Sequence, residues 1–222
     1  MGNTITITAS DGFSFSAYQA LPESTPKASV LIIQEIFGVN KHIKEVCDGY
    51  AQRGYAAIAP ALFDRLEKNV ELDYDADGIE KGKVLAREKL KLDDAIRDLS
   101  ATAKVCAEHG KPAAIGYCYG GFLAYVAAGT IPELSCAVAY YGAGITGHLD
   151  TKPKVPVLFH FSDDDPGIPM SDVEEIQKTF PDLPLHIYSA QHGFNCNLRG
   201  SWHEESAQLA LGRTLEFIDA YQ

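Results

Sequence analysis

The stretch AAIGYCYGGFLA, residues 113–124, gives the strongest indication of the fold. An apolar run enters the segment GYCYGG, residues 116–121, and then continues into a sequence with helical character. This pattern is typical of a sharp strand-to-helix turn that presents a nucleophile, here a cysteine. Such a turn leaves no room for side chains beside the nucleophile, which explains the glycines at positions 116 and 120.

In this turn Cys118 would lie at the head of a helix. The positive end of a helix dipole favours a thiolate, so the position suits a nucleophilic cysteine. The alternative is a glycine-rich turn that carries a small, buried and unreactive cysteine.

Strand and helix patterns alternate on both sides of this turn. Residues 4–8 and 13–17 flank an Asp11-Gly12 turn and alternate between polar and apolar, which predicts an antiparallel hairpin at one edge of a sheet. Later strand candidates are short and almost wholly apolar, as expected for parallel strands covered on both faces. These strands are predicted at 29–33, 55–59, 113–117, 135–141, 155–161 and 184–189. Helical patterns lie at 40–53, 79–108 with an interruption near 91–93, 120–129, 171–180 and 202–220.

The alternation predicts an α/β fold. We expect a mostly parallel sheet that begins with the N-terminal antiparallel hairpin and carries helices on both faces. The chain has 222 residues without an internal repeat, low-complexity tract or interdomain linker. It is therefore expected to form one domain over residues 1–222.

Composition excludes several classes of function. With 46% hydrophobic and 22% charged residues, the chain has the composition of a soluble globular protein. A net charge of -11 argues against nucleic acid as a partner. Five cysteines without a CxxC pair do not indicate a zinc ribbon and favour a reducing, cytoplasmic compartment. No signal-peptide or membrane-span pattern is present, so no membrane partner is expected. The expected partner is a small-molecule substrate, and the expected assembly is a monomer or small homo-oligomer.

A nucleophile at this turn needs a histidine base further along the chain. His192 follows the predicted strand 184–189 in a loop, at the sheet edge where catalysts of open α/β sheets gather. His203 is the competing candidate, but it falls in the first turn of the last predicted helix. His160 and His186 lie within strand patterns, which favours a structural role for both.

The acid that orients the histidine is expected after the preceding strand. Three aspartates, Asp163, Asp164 and Asp165, follow the apolar run 155–161. Asp165 is the candidate, because Pro-Gly-Ile-Pro follows it at 166–169 and can hold its carboxylate in place. Asp163 and Asp164 are better explained as turn formers or helix caps.

Glu35 ends another apolar run at the same edge of the sheet. It is a candidate for the site, and a surface salt bridge is the alternative. The backbone N–H groups of Ile36 and Tyr119 lie where an oxyanion hole is expected, one after the third strand and one after the nucleophile.

Together these residues resemble the dienelactone hydrolase, or carboxymethylenebutenolidase, family of the α/β-hydrolase superfamily. The resemblance spans most of the chain and rests on four segments in order: QEIFGVN at 34–40, GYCYGG at 116–121, Asp165 with Ile168-Pro169, and HGF at 192–194. It implies an α/β-hydrolase fold. The family's Cys-His-Asp triad falls on Cys118, His192 and Asp165, and the glutamate that partners its resting thiol falls on Glu35.

The resemblance also implies a reaction. Family members open the lactone ring of 4-carboxymethylenebut-2-en-4-olide to give maleylacetate, in the bacterial breakdown of chlorinated aromatics. A cysteine acyl-enzyme forms, and substrate binding displaces the glutamate so that the cysteine ionises. No metal or organic cofactor is implied.

One feature departs from the family pattern. The family clamps the substrate carboxylate with two arginines, and one of them corresponds here to Cys196. Arg199 is the nearby candidate to replace it, and Lys81, Lys83 and Arg87 are candidates for the other. A general carboxylesterase or thioesterase with the same triad is therefore an alternative. A non-catalytic binding or redox-sensing module, in which Cys118 is oxidised, is a further one.

Overall fold

The computed structural model describes residues 2–222 and contains, within that range, eight strands and six α-helices. The strands are β1 Asn3–Thr8, β2 Ser14–Ala20, β3 Ala28–Ile33, β4 Tyr55–Pro60, β5 Pro112–Tyr117, β6 Cys136–Tyr140, β7 Val157–Asp164 and β8 Leu185–Gln191. The helices are α1 Lys41–Gln52, α2 Ala76–Lys83, α3 Leu92–Cys106, α4 Tyr119–Thr130, α5 Met170–Thr179 and α6 Glu204–Ala220.

All eight strands form one sheet in the order β1-β2-β4-β3-β5-β6-β7-β8. The pairs β1–β2 and β2–β4 are antiparallel, and every other neighbouring pair is parallel. The prediction of a mostly parallel α/β sheet that begins with an antiparallel hairpin is therefore confirmed. In the second half of the chain each new strand is added beside the previous one, so the loops after β5, β7 and β8 share one edge.

The core lies along the central strands. Every residue of β3, β4 and β5 is buried, because helices cover both faces of this parallel sheet. Ile32 and Ile115 have no exposed surface. Burial of one such side chain contributes about 1.5–3 kcal/mol, and truncation of Ile115 to alanine would cost about 2–5 kcal/mol through the cavity it leaves.

Polar side chains cap the N-termini of α1 and α2. The Asn40 side chain accepts a hydrogen bond from the Ile43 amide at 3.3 Å and caps α1, as its position predicted. Asp75 caps α2 in the same way through the Gly78 amide at 2.8 Å. None of the helices described in residues 2–222 is long and apolar enough to cross a membrane.

The predicted helix at 79–108 proved to be several segments. Because Asp75 supplies a cap, α2 begins at Ala76, earlier than predicted, and a π-helical turn at 84–89 follows it. Leu90 and Lys91 then take extended backbone conformations, with ψ of 117° and 138°, and separate this turn from α3. The predicted interruption is therefore present; it includes Lys91 and begins one residue earlier than expected.

Asp163 and Asp164 also differ from the expectation that they form a turn. Both belong to β7, which continues to Asp164 because that residue pairs with Gln191 of β8. The Asp164 carboxylate also accepts a hydrogen bond from the Gln191 side chain at 3.0 Å. The turn begins one residue later, at Asp165.

His160 is a structural histidine, in agreement with its place in a strand. Its side chain is fully buried in β7. Nδ1 pairs with the Tyr188 hydroxyl at 2.8 Å, and Nε2 pairs with the Thr214 hydroxyl of α6 at 3.0 Å. The Tyr140 and Thr214 hydroxyls are also hydrogen-bonded, at 2.7 Å, so this network fastens α6 to the sheet.

Candidate active site

Cys118 occupies the junction between β5 and α4 in a strained conformation. Its backbone has φ 54° and ψ −115°, a region that residues with a side chain rarely adopt. Such a conformation costs on the order of 1–3 kcal/mol and is most often kept at functional positions. The turn is tight enough that a Cβ on Gly116 would lie 1.8 Å from the Gly120 carbonyl oxygen.

The same turn packs against the end of β3. A Cβ on Gly120 would lie 2.3 Å from the Ile33 carbonyl oxygen, so only glycine permits this approach. The contact brings Cys118 beside the loop that contains Glu35 and Ile36. Tyr119 is the first residue of α4, and the amides of a first helical turn have no acceptor within their own helix.

His192 and Asp165 form a close pair. His192 Nδ1 lies 2.7 Å from Asp165 Oδ2, and the Asp165 side chain is 1% exposed. The other carboxylate oxygen of Asp165 accepts a hydrogen bond from the Gly167 amide at 2.8 Å. The aspartate is therefore fixed by its own loop and can hold the imidazole in one orientation.

The surroundings of His192 favour its protonated form. Burial by itself lowers the pKa of His192, but the neighbouring Cys118 sulfur and the hydrogen bond to Asp165 outweigh it and raise the pKa to about 10. At neutral pH an imidazolium at this position stabilises negative charge on the adjacent sulfur. His203, the competing candidate, caps α6 and bonds to Ser206 instead.

Glu35 is completely buried and bonded through both oxygens. Arg199 Nη1 donates to Oε1 at 3.3 Å, and the Tyr74 hydroxyl donates to Oε2 at 2.9 Å. Burial, followed by the Glu35 charge, raises the pKa of Tyr74, so its hydroxyl stays a proton donor. Among the residues described, 2–222, no hydrogen bond joins Glu35 to Cys118.

Arg199 is brought into the site, whereas Lys81 is not. Arg199 packs over the loop after His192, so closely that a Cβ on Gly193 would lie 2.5 Å from Arg199 Nη1. Burial lowers the pKa of Arg199, but Glu35 and then Cys118 raise it above its ordinary value. Lys81 forms an exposed salt bridge with Glu67 at 2.7 Å.

Cys196 lies within 4.8 Å of Glu35, measured between the thiol sulfur and a carboxylate oxygen, and has no exposed surface. Burial raises its pKa to about 11, and the nearby Glu35 charge adds to the effect, so Cys196 is a neutral thiol at neutral pH. The thiol is one of the polar groups around the buried carboxylate.

Two residues of this region were not identified as site residues from the sequence. Tyr74 comes from an irregular stretch without periodicity, so no sequence signal pointed to it. His42 lies in the first turn of α1 and is 3% exposed. Its place after β3, at the carboxyl edge of the sheet, was the signal that could have indicated it.

A cavity of about 560 Å³ lies near the triad, although none of Cys118, His192 and Asp165 lines it. It borders Tyr119, which follows the nucleophile, and Gly167, which follows Asp165. Most of its walls are aromatic or aliphatic, with Arg87 and His148 as the basic residues: Ala86, Arg87, Leu90, Leu92, Tyr119, Phe122, Ala143, Gly144, His148 and Gly167. The space suits a small organic molecule.

Comparison with known proteins places the chain in a family. The model of the dienelactone hydrolase family matches residues 15–222. The chain belongs to the dienelactone hydrolase family. Among curated relatives of that family, it is 33% identical to the carboxymethylenebutenolidase of Pseudomonas sp. strain P51 over 225 residues, which cover 96% of this chain and 93% of the relative.

Solved structures agree with membership of the dienelactone hydrolase family. A crystal structure from Klebsiella pneumoniae assigned to the dienelactone hydrolases has a TM-score of 0.84 and 30% identity, with 100% of both chains covered. The Pyrococcus furiosus esterase Pf2001 has a TM-score of 0.71 and 15% identity, covering 100% of this chain and 93% of that one, and shares the fold. Membership supports hydrolase activity for this chain.

Proposed function

We propose that the protein opens a small, carboxylate-bearing lactone through an acyl-enzyme on Cys118, with dienelactone converted to maleylacetate. The observation that carries the proposal is the His192–Asp165 pair, 2.7 Å apart, next to a cysteine held at φ 54° at the head of α4. A nucleophile, a base and an orienting acid on three neighbouring loops are the components of nucleophilic acyl transfer.

The reaction then needs two steps. The Cys118 thiolate attacks the lactone carbonyl, and the amides of Ile36 and Tyr119 stabilise the oxyanion. The C–O bond of the ring breaks, the departing enol oxygen takes a proton from His192, and a thioester remains on Cys118. The enol tautomerises to the ketone of maleylacetate. His192 next removes a proton from water, which hydrolyses the thioester, releases the carboxylate product and restores the thiolate.

Arg199 and Glu35 are proposed to link substrate binding to activation of the thiol. Arg199 is paired with Glu35 at 3.3 Å in a site where both side chains are largely buried. A substrate carboxylate that binds Arg199 competes with Glu35 for the guanidinium. Glu35 would then be free to turn toward Cys118, accept the proton of a neutral thiol and return it when the product leaves. Substrate binding would thus shift Cys118 further toward the thiolate that the His192 imidazolium stabilises.

An ester or thioester hydrolase with the same triad is the second candidate. The apolar walls of the 560 Å³ cavity favour it, since they suit an uncharged acyl or alcohol group. Cys196 at the family's arginine position favours it as well, because a buried thiol cannot pair with a carboxylate as arginine does. All five cysteines are unpaired, which supports a cytoplasmic location for either enzyme.

The test compares dienelactone with p-nitrophenyl acetate in three variants. Cys118→Ala should abolish turnover of both substrates. Arg199→Gln should raise the KM for the lactone by about 30-fold or more beyond any effect on the uncharged ester. The Arg199–Glu35 pair is lost with both substrates, whereas only the charged substrate also loses its own ion pair with the guanidinium. Arg53→Gln, which changes an exposed arginine at the end of α1, is the matched control.

Each result separates the candidates. Ester turnover without lactone turnover would overturn the lactone assignment and favour the general esterase. If neither substrate reacts and Cys118 instead forms a reversible sulfenate, the redox-sensing function takes precedence.

A further inference from the structure

Three side chains with different donor atoms meet behind the nucleophile. Glu35, His42 and Cys196 each offer one ligand atom, a carboxylate oxygen, a ring nitrogen and a sulfur, and these atoms all lie within 4.8 Å of one another. The exposed fractions of the three residues are 0%, 3% and 0%. A buried cluster of this kind differs from the solvated acidic groups common on protein surfaces.

His42 supplies a second, independent observation. Its Nε2 atom is buried and has no hydrogen-bond partner within residues 2–222. A buried polar atom without a partner costs on the order of 1–3 kcal/mol, so its presence calls for an explanation.

We propose that Glu35, His42 and Cys196 form a binding site for a divalent cation of the zinc type. Thiolate, imidazole and carboxylate are the three ligand types that Zn²⁺ takes in proteins, and three protein ligands leave a fourth position open. Mg²⁺ and Ca²⁺ are excluded as the preferred ions because they select oxygen donors. The site uses none of Cys118, His192 and Asp165, but it shares Glu35 with the proposed activation of the thiol.

Binding has identifiable costs. The cation must displace Arg199 or Tyr74 from one Glu35 oxygen, since both oxygens are occupied. Cys196 must release its proton to solvent as the sulfur–metal bond forms. The three ligand atoms must also draw together, because atoms bonded to zinc at about 2.0–2.3 Å lie nearer to each other than 4.8 Å. With the Arg199 charge nearby, the site binds reversibly rather than permanently.

The experiment titrates Co²⁺, a spectroscopic substitute for zinc, into the Cys118→Ala protein. This background removes Cys118, whose thiol lies beside His192 and could otherwise bind the cation. We expect one equivalent of Co²⁺ to produce two signals. The first is a thiolate-to-cobalt charge-transfer band in the near ultraviolet, and the second is the set of visible absorption bands typical of four-coordinate cobalt. Added Zn²⁺ should displace the cobalt and remove both.

Matched variants in the same background locate the site. Cys196→Ser should remove the charge-transfer band, and His42→Asn should weaken binding by at least about tenfold. Cys136→Ser and His109→Asn, which change the same residue types elsewhere, should bind like the background. Circular dichroism melting curves establish that each variant is folded. If Cys196→Ser does not fold, the cobalt affinity of His42→Asn alone tests the location of the site.

Three outcomes would overturn the proposal. One is the absence of a cobalt band in the Cys118→Ala protein. Another is a band that persists in Cys196→Ser or unchanged affinity in His42→Asn. The third is binding by the wild-type protein alone, which would assign the cation to Cys118 and His192 instead. None of these results bears on whether the wild-type protein hydrolyses lactones, so the two proposals fail separately.

Discussion

His160 and His192 belong to neighbouring parts of the sheet, yet their pKa values shift in opposite directions. His160 lies within β7, and burial first, with His186 and Arg213 adding to it, holds its pKa well below the ordinary value. His192 follows β8, and its pKa rises to about 10 although burial opposes the rise. Both rings are hydrogen-bonded, so hydrogen bonding alone does not distinguish them.

The charge of the partner explains the difference. His160 bonds to the neutral hydroxyls of Tyr188 and Thr214, which cannot stabilise an imidazolium. His192 bonds to the carboxylate of Asp165 and lies beside the Cys118 sulfur, which can. Burial therefore produces a structural histidine in one place and a proton carrier in the other, according to what the ring contacts.

Asp165→Asn should have the largest effect, because it gives His192 a neutral partner like those of His160. We expect the pKa of His192 to fall and kcat/KM to drop about 1,000-fold or more, as in other triads that lose their carboxylate. NMR titration of the histidine rings and hydrolysis of p-nitrophenyl acetate provide the two measurements. Asp164→Asn, which alters the adjacent carboxylate bonded to Gln191, is the control and should stay active. An active Asp165→Asn enzyme would contradict the comparison.

Replacement of each histidine should separate stability from activity. His160→Phe leaves buried hydroxyl groups of Tyr188 and Thr214 without their ring partner, so the free energy of unfolding should fall by about 1–3 kcal/mol while activity persists. His192→Gln should show the reverse, with activity lost and stability nearly unchanged. Urea unfolding and ester hydrolysis measure the two quantities. Equal losses of activity in both variants would show that the two histidines do not have separate roles.

The smallest effect concerns pH. His160 is neutral in the folded protein, whereas in the unfolded chain it binds a proton below about pH 6.5. The unfolded state then holds more protons, so stability should decline as the pH falls below 6.5, with a slope approaching about 1.4 kcal/mol per pH unit from this residue. His160→Phe should lose that part of the slope, measured by urea unfolding from pH 7.5 to 5.5. Parallel curves for the two proteins would count against a neutral buried His160.

Local patterns made the fold predictable. Gly116, Cys118 and Gly120 fall within five positions of one turn, and steric crowding there dictates the residue types. Apolar strands covered on both faces and the alternating strands of the hairpin both leave clear patterns, so all eight strands were predicted within a few residues. His192 and Asp165 could be located because catalysts of this sheet type follow the strand ends.

Contacts between distant segments were not predictable. Glu35 was expected either in the site or in a surface salt bridge, and the structure gives it a buried salt bridge to Arg199. Tyr74 reaches the same carboxylate from a stretch whose path is set by how α2 packs, which no periodicity records. For the same reason Lys81 could be named from its charge but not placed, and it lies in an exposed pair with Glu67.

The order of strands in the second half of the sheet has a consequence for protein synthesis. Cys118 leaves the ribosome first, Asp165 follows, and His192 arrives only with β8, which takes the outermost place in the sheet. Until β8 docks, a nascent chain has its thiol on a preformed turn but no imidazole beside it. The Cys118 thiol of the growing polypeptide is therefore not activated by His192 until β8 has joined the sheet.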